Sequence, residues 1–477
     1  MTTPYNQELI HARSARLRQF IQVTDFENDL RSRHGEAAPI RCGFCHGSHG
    51  RQALLDQLRS WLKVLFILLV FTFSAQSTTG RVSANGLTLV DGLDNSVNDS
   101  TQAHDFEQFV LTAIDLPFFR DTLVCVRNKV RPSPSCSNTF AYSRFSSVAA
   151  ALRRVHLPLR ERVIAGTVFL RWGTTLRIRL GESMCPLWPG LMKEEAECLG
   201  LLMLLRFGTQ VDLVTTNSSL TNQTLMWHLS PPAGTRHMLH YSENSRNSLP
   251  DPLHDRYTKL LGRSTIDSHW VWTEDFARYL RVTTGRRATP VGPILLYPLS
   301  HEAEDEGPLS VIFCEVYPVD PTKFMGGVDH RVPLYSTESQ IETLTLIQEG
   351  IRLAEAELEK SILLQIRPKR DFAPDIHSQE YLVFRNGILN SRIVLADPRI
   401  RQDLAVQSAS VTLAYPWSSA ISLAHFLNRD AAAVATRKLN RVRAAQPSGS
   451  ELLTSSHEVG RWLSENFRRR LRKQNLT

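Results

Sequence analysis

Residues 410–435 read SVTLAYPWSSAISLAHFLNRDAAAVA, and this stretch predicts a strand, a turn, a helix and a second strand in succession. The apolar, partly β-branched run over residues 410–415 is typical of a buried strand, and Pro416 ends it. Ser418 is a suitable N-cap for a helix over residues 419–427. Free N–H groups and serine hydroxyls at the start of such a helix would form a phosphate-binding turn. Helix capping alone is the alternative explanation of this serine.

Length and composition predict a two-domain globular protein. The chain has 477 residues, of which 42% are hydrophobic and 21% charged, and domains usually contain roughly 100 to 200 residues. A net charge of +8 favours anionic partners such as nucleotides or acidic lipids. Nucleic acid is not expected as a partner, because aromatic and basic residues do not alternate in a groove-like pattern. The seven scattered cysteines fit a reducing compartment, so a cytoplasmic location is predicted.

The second half of the chain alternates strand and helix patterns. An apolar strand over residues 309–316 precedes a long helix that begins with a capping-box pattern at Thr337 and Gln340. Residues 361–366 form the next predicted strand and lead into Arg367-Pro368-Lys369-Arg370. Three cations on this turn repel one another unless an anion binds between them, and an ordinary solvated turn is the alternative. Alternation over roughly 130 residues predicts a parallel, Rossmann-like sheet.

The first half carries a second candidate binding segment. Strands are predicted over residues 210–216 and 236–241. The second of them runs into the polar cluster Ser242-Glu243-Asn244-Ser245. Open α/β sheets bind ligands beyond the carboxyl ends of their strands, so this cluster is a candidate site, with an ordinary polar turn as the alternative. Residues 289–293 are predicted to cross from one half to the other.

The first 105 residues are predicted to be a poorly defined extension. Residues 64–73 are strongly apolar, but a helix of that length rises only about 15 Å, about half of a bilayer's hydrocarbon core. They are expected to be buried in a core, or to anchor the chain at a membrane surface together with the basic residues before them. Residues 77–105 predict a polar loop or linker. The predicted division is 1–105 for the extension, 106–292 for an N-terminal α/β domain, 293–440 for a Rossmann-like domain and 441–477 for a basic helix.

Several short motifs together resemble the bacterial polysaccharide-biosynthesis proteins named for a Pro-Phe-Thr-Ser motif. That motif stands here as Pro416-Trp417-Ser418-Ser419. Further landmarks stand in the same order as in the family: Tyr241-Ser242-Glu243-Asn244-Ser245, Val291-Gly292-Pro293-Ile294, Cys314-Glu315-Val316-Tyr317-Pro318 and Arg367-Pro368-Lys369-Arg370. The family has Asp where this chain has Glu315, and Phe and Thr where it has Trp417 and Ser418. The resemblance covers residues 191–440.

The resemblance implies an α/β protein of two Rossmann-like domains facing a cleft, as in GT-B glycosyltransferases, with a nucleotide sugar bound mainly by the C-terminal domain. It implies transfer of a sugar to a glycan or lipid-linked acceptor in surface polysaccharide assembly. Glu315 and Glu243 are the candidate catalytic carboxylates. The implied nucleotide-binding residues are those of the landmarks: Tyr241, Ser242, Asn244, Ser245, Arg367, Lys369, Arg370, Pro416, Trp417, Ser418 and Ser419.

A metal-independent reaction without a cofactor is expected. No Asp-x-Asp motif is present that would hold a divalent ion on a diphosphate. Cations and helix N–H groups can stabilise the charge on the departing phosphate instead. Two other functions fit the same residues: a non-catalytic or weakened scaffold of a polysaccharide assembly complex, and another nucleotide-sugar enzyme such as an epimerase or a polyol-phosphate transferase.

Residues 458–473 predict an amphipathic C-terminal helix. Trp462, Leu463, Phe467 and Leu471 recur at helical spacing and are flanked by many arginines. The helix is expected to return to the N-terminal domain, or to rest on anionic lipid at the inner face of the cell membrane. A charged outer face on a helix that packs against a core is the alternative.

Overall fold

The computed structural model describes residues 86–91, 122–127, 139–142, 194, 198, 201–202, 210–215, 225–229, 234–240, 265–293, 308–315, 337–368, 378–397, 400, 402–416, 418–436 and 451–474. The chain divides into two compact units, and Pro290 begins the long last segment of the second unit. Val271–Tyr279 also belongs to the second unit, whereas Leu280–Thr289 belongs to the first. The four-part division and the cleft stay predictions from the sequence.

The first unit is built on a seven-stranded sheet with the order β3-β2-β1-β4-β5-β6-β7. Its strands are β1 Gly86–Asp91, β2 Thr122–Arg127, β3 Thr139–Tyr142, β4 Gln210–Thr215, β5 Arg236–Leu239, β6 Ser268–Val271 and β7 Arg287–Pro290. Strands β1 to β6 are paired in parallel. The first strand therefore lies inside the sheet and later strands extend it on both sides, as in doubly wound α/β folds.

Strand β1 corrects the prediction of a polar linker over residues 77–105. Gly86–Asp91 lies between β2 and β4, and Leu89 is fully buried. The register places Leu89 beside Cys125 and Leu213. Only the four central residues of the strand are apolar or β-branched, so the Ser, Asn and Asp residues around it concealed a strand of this length.

The second unit is built on a six-stranded sheet with the order β10-β9-β8-β11-β12-β13. Its strands are β8 Ser310–Cys314, β9 Leu363–Arg367, β10 Ile393–Leu395, β11 Val411–Ala414, β12 Ala431–Val434 and β13 Glu451–Leu453. All neighbouring strands are parallel. In chain order this is 3-2-1-4-5-6, the strand order of the Rossmann fold, so the predicted fold class is confirmed.

The described helices are α1 Glu274–Thr284, α2 Thr337–Leu358, α3 Gln379–Gly387, α4 Gln402–Gln407, α5 Ser419–Phe426 and α6 Ser456–Gln474, and a 3₁₀ turn spans Leu225–His228. Among the described residues, no helix is long and apolar enough to cross a membrane. The apolar residues 64–73 lie outside the described residues.

Helices cover both faces of the second sheet because successive residues of a strand point to opposite sides. In β8, Val311 and Phe313 belong to the core cluster that includes residues of α2, α3 and α6. Ile312 and Cys314 belong to the cluster that includes residues of α4 and α5. The chain therefore winds from β8 to β10 over one face and from β10 to β12 over the other.

Helix α6 packs on the core of its own unit, which corrects the predicted return to the N-terminal domain. The predicted apolar stripe is real: Trp462, Leu463 and Phe467 are buried in the cluster shared with α2, and Leu471 packs against it. Strand β13 brings the chain to the edge of the second sheet just before α6 begins. The core-docked alternative therefore holds for the inner face of this helix.

Two glycines allow α2 and α6 to approach closely. A Cβ atom added at Gly350 of α2 would lie 2.4 Å from Cγ1 of Val459. A Cβ atom added at Gly460 of α6 would lie 2.9 Å from Cβ of Leu353. Both distances are far below van der Waals contact, so only glycine fits without a shift of the helices.

We expect Gly350→Ala to destabilise the second unit by about 1 to 3 kcal/mol, because the added methyl group overpacks the α2–α6 contact. Thermal and urea unfolding measure this loss. Gly387→Ala in α3 is the matched control, since nothing lies within 4 Å of an added Cβ there. The control should leave stability unchanged or raise it, and equal losses in both variants would contradict the packing argument.

Candidate functional site

The second sheet has a topological switch point between β8 and β11. The chain leaves β8 for α2 on one face and reaches β11 from α4 on the other. In open α/β sheets, ligands bind beyond the carboxyl ends of the strands at such a point. The described residues at these ends are Glu315 after β8, Arg367 at the end of β9, Tyr415, Pro416 and Ser418 after β11, and Thr436 after β12.

Helix α5 begins where the sequence predicted. Ser418 has an extended backbone, with φ −71° and ψ 132°, and its hydroxyl accepts a hydrogen bond from the N–H of Ala420 at 3.3 Å. The N–H of Ser418 donates to the carbonyl oxygen of Tyr415 at 3.1 Å. Pro416 and Ser419 are buried, whereas Ser418 is partly exposed. The predicted N-cap is confirmed, and phosphate binding at this turn stays a prediction.

Glu315 is a buried carboxylate that binds two residues of α3. Its Oε1 accepts a hydrogen bond from the Tyr381 hydroxyl at 2.5 Å, and its Oε2 lies 3.1 Å from Nη1 of Arg385. The side chain of Glu315 is 3% exposed and that of Arg385 12%. Charge pairing in this dry position offsets part of the cost of removing the carboxylate from water. The carboxylate therefore fixes α3 to the end of β8.

Burial dominates the electrostatics around this carboxylate. It raises the pKa of Glu315, against the opposing effects of Arg385 and the Tyr381 hydroxyl. Burial and the Glu315 charge hold the pKa values of Tyr381 and Tyr415 well above 10.0, so both phenols stay protonated donors. Burial also raises the pKa of the Cys314 thiol to about 11, which makes this cysteine a poor nucleophile.

Arg367 lies at the same edge but on the opposite face of the sheet. It pairs with Cys314 in the strand register, whereas Glu315 points to the α3 face. Its Nη2 donates to the carbonyl oxygen of Ile400 at 3.0 Å. Its buried Nε has no hydrogen-bond partner among the described residues, and neither has the Nε of Arg385. Each guanidinium thus keeps a donor for another acceptor at this edge.

Several predicted site residues lie outside the described residues. They are Tyr241, Ser242, Glu243, Asn244, Ser245, Lys369, Arg370 and Trp417. Their assignment stays a prediction from the sequence. In the landmark after β7, Gly292 has a positive φ of 76°, and its N–H donates to the carbonyl oxygen of Trp272 at 3.2 Å. This backbone conformation explains the need for glycine there.

Sequence reasoning missed Tyr381 and Arg385. Both lie in α3, four residues apart, which places them on one helix face. That spacing was a usable signal for a shared partner. Ser378 caps this helix and accepts a hydrogen bond from the N–H of Tyr381 at 3.3 Å, so the cap also orients the tyrosine.

The predicted capping box at Thr337 and Gln340 is wrong. Thr337 is the first residue of α2, and its hydroxyl donates to Oγ of Ser378 at 2.7 Å. Gln340 is fully buried, and neither atom of its amide has a hydrogen-bond partner among the described residues. Tertiary contacts with α3 therefore replaced the local pattern, and the first turns of α2 and α3 are joined side by side.

In the first unit, two buried histidines meet beside the predicted Tyr241–Ser245 segment. Nε2 of His240, just after β5, lies 3.1 Å from Nδ1 of His269 in β6. Burial lowers the pKa of His269 to about 4 and that of His240 well below 6.5. Arg286 and the neighbouring imidazole act in the same direction. The pair is therefore neutral at physiological pH and shares a single hydrogen bond.

Among the described residues, no group of three or more His, Cys, Asp or Glu side chains could hold a metal ion. Metal independence of the reaction stays an expectation from the sequence.

A family model described as polysaccharide biosynthesis PFTS motif protein matches residues 194–434, just over half of the chain. The matched region contains strands β4 to β7 of the first sheet and the second sheet as far as β12. No curated protein matches the chain.

Three solved structures resemble the chain at low sequence identity. A UDP co-structure of S. aureus MnaA is 10% identical, covers 80% of this chain and 87% of its own, and has a TM-score of 0.39. A UDP-forming α,α-trehalose-phosphate synthase from Burkholderia vietnamiensis is 11% identical, with coverages of 82% and 97% and a TM-score of 0.39. An E. coli trehalose-6-phosphate protein bound with UDP-2-fluoro glucose is 12% identical, with coverages of 81% and 91% and a TM-score of 0.36. They give no residue-by-residue correspondence.

The histidine pair predicts how stability depends on pH. The unfolded chain binds protons on these imidazoles near pH 6.5, whereas folded His269 resists protonation down to about pH 4. The contribution of neutral His269 to the free energy of unfolding is therefore fully present above pH 6.5. It is lost as the pH falls towards 4, and this loss amounts to roughly 3 kcal/mol. Urea unfolding between pH 7 and 5 measures the slope. It should become shallower in His240→Gln/His269→Gln and stay unchanged in the exposed control His457→Gln; an unchanged slope in the double variant would contradict the assignment.

Proposed function

The chain belongs to the family of polysaccharide biosynthesis PFTS motif proteins, and from this premise we propose that it is a glycosyltransferase of surface polysaccharide assembly. It moves a sugar from a nucleotide sugar to a glycan or lipid-linked acceptor. One observation carries the proposal: the family motif forms the capped start of α5 at the switch point of a 3-2-1-4-5-6 sheet. Helix starts at this position of an α/β sheet are suited to bind phosphate.

The donor phosphates bind at the start of α5 and on the cationic turn after β9. The free N–H groups of the first turn of α5 and the hydroxyls of Ser418 and Ser419 donate to phosphate oxygens. Positive charge comes from the end of β9 and the turn after it, on Arg367, Lys369 and Arg370. In support, Arg367 has a buried Nε without a partner among the described residues and no ion pair there.

In the reaction, an acceptor hydroxyl attacks the anomeric carbon of the donor sugar. A new C–O bond forms, the bond from the anomeric carbon to the phosphate oxygen breaks, and the nucleotide leaves with the bonding electrons. The hydroxyl proton passes to a carboxylate, for which Glu243 is the candidate from the sequence. Cations and helix N–H groups stabilise the leaving phosphate, so the step requires neither metal nor cofactor.

Glu315 acts in this scheme by positioning. Both of its oxygens already bind Tyr381 and Arg385, and its side chain is 3% exposed. Loss of the carboxylate would free the Arg385 guanidinium and loosen α3 at the edge where the donor binds. The related carboxylate of the family, Asp, is one methylene shorter, so this chain extends the reach to α3.

The donor assignment predicts the effect of removing cations. Lys369→Ala and Arg370→Ala should each weaken binding of whichever of CMP, UDP and GDP stabilises the parent, by about 1.5 to 3 kcal/mol for a lost charged hydrogen bond. Ser418→Ala should cost less, and the exposed control Arg352→Ala nothing. Calorimetric titration measures the affinities. Parent-like binding by the double variant Lys369→Ala/Arg370→Ala would refute the phosphate assignment, and no binding by the parent would refute the function.

We further propose that α6 holds the enzyme at the inner face of the cell membrane, in the cytoplasm. Arg468 and Arg469 already pair with Glu357 at 2.7 Å and Asp430 at 3.7 Å. The other exposed cations of the helix have no ion-pair partner among the described residues: Arg461, Arg472 and Lys473. Basic residues near an anionic lipid surface contribute about 1 kcal/mol each, so these three are suited to weak, reversible binding.

Because α6 is part of the core, this idea is tested by point variants and not by truncation. Replacing Arg461, Arg472 and Lys473 with Gln should weaken sedimentation with phosphatidylserine liposomes at low salt, since attraction to anionic lipid falls with the number of free cations. Arg468→Gln/Arg469→Gln, which removes paired cations, should have a smaller effect. Binding that is absent, or that 0.5 M salt does not weaken, would rule out this surface.

A further inference from the structure

Gln340 occupies an unusual place on α2. The residues of this helix that face the second sheet recur at helical spacing: Leu344, Ile347, Ile351 and Ala354. Gln340 lies one turn before Leu344 and continues the same stripe to the start of the helix. Its side chain is therefore directed to the sheet at the carboxyl edge. Two other polar residues are buried at this end of α2, Ser339 and Thr343, and the hydroxyl of Thr343 donates to the carbonyl oxygen of Ser339.

The surroundings of Gln340 belong to the switch point. The Tyr415 hydroxyl, just after β11, donates to the backbone carbonyl oxygen of Gln340 at 3.4 Å. Tyr415 lies close enough to Glu315 for that charge to raise its pKa. The bond from Thr337 to Ser378 at 2.7 Å joins the starts of α2 and α3 at this end. Gln340 thus lies beside the residues that end β8 and β11.

The side-chain amide of Gln340 makes no hydrogen bond to the described residues. It is fully buried, and neither Nε2 nor Oε1 has a hydrogen-bond partner among the described residues. A leucine or methionine at this point of the stripe would avoid that penalty. A buried polar group with no partner in the folded chain requires an explanation outside the chain, such as a ligand.

The chemistry of an amide selects the kind of ligand. It presents donors and an acceptor side by side, and a phosphate, which only accepts, would leave Oε1 unpaired. A sugar hydroxyl both donates and accepts, so hydroxyl groups match both amide atoms. We infer that Gln340 hydrogen-bonds the sugar of the donor and distinguishes a nucleotide sugar from the nucleotide alone. This assignment rests on the proposed function.

The experiment compares Gln340→Met, which keeps an unbranched side chain of similar length, with Thr412→Val. Thr412 in β11 is also fully buried with an unpartnered hydroxyl, but it lies within the strand and away from the carboxyl edge. Each substitution removes one unsatisfied polar group, so both should raise the melting temperature of the ligand-free protein. A lower melting temperature in Gln340→Met would mean that the amide has a partner within the chain and would overturn the inference.

Measured affinities for nucleotides and nucleotide sugars then distinguish Gln340→Met from Thr412→Val. Titration uses UDP against UDP-glucose, GDP against GDP-mannose, and CMP against CMP-sialic acid. Gln340→Met should lose about tenfold or more in affinity for the nucleotide sugar that the parent binds, and keep its affinity for the nucleotide of the same pair. Thr412→Val should keep both.

Three negative outcomes differ in what they refute. A parent that binds a nucleotide sugar, with unchanged affinity in Gln340→Met, overturns only the role of Gln340. A loss of affinity for nucleotide and nucleotide sugar alike places Gln340 near the phosphates or base and also overturns its role in sugar recognition. A parent that binds no member of any pair refutes the proposed function, and this assignment with it.

Discussion

The position of β8 inside the second sheet is the constraint on which the rest of this unit depends. Parallel pairing with β9 and β11 brings the ends of all three strands to one edge. Because Phe313 and Cys314 point to opposite faces, different helices cover the two sides of β8. The chain can then reach β11 from the other face, which creates the switch point at which such sheets bind ligands. Glu315 and Ser418 lie at the same edge of the sheet because β8 and β11 are parallel neighbours.

Buried polar groups at this edge are costly for stability, and this is informative about function. A carboxylate such as that of Glu315 loses several kcal/mol of hydration when buried, and a pair with Arg385 only partly restores it. A well-packed apolar residue would often be as stable. Thr412 also has a buried, unpartnered hydroxyl, but it lies within β11 and away from this edge. At the carboxyl edge, by contrast, three residues each have a buried donor that lacks a partner among the described residues: Gln340, Arg367 and Arg385.

Sequence reasoning succeeded where the determining interactions are local. The predicted cap by Ser418 involves only the N–H two residues further along the chain. It failed where partners are distant in the chain: Glu315 binds Tyr381 and Arg385 across 66 and 70 residues. The capping-box pattern at Thr337 was valid locally, but its hydroxyl found Ser378, 41 residues away. Short strands such as β1 need their neighbours, since six residues carry too little pattern alone.

Helix α6 has an inner face that packs on the core and an outer face that carries exposed basic side chains. The sequence offered docking on a domain and contact with a membrane as competing explanations of one amphipathic helix. Its apolar stripe is buried against α2, where Gly350 and Gly460 allow the two helices to approach closely. This packing does not involve the charged outer face of the helix. The cations of the outer face are of two kinds. Arg468 pairs with Glu357, whereas Arg472 has no ion-pair partner among the described residues. Only the second kind of cation retains its full attraction for an anionic surface, so the proposed membrane contact depends on the number of unpaired cations and not on the net charge of the helix.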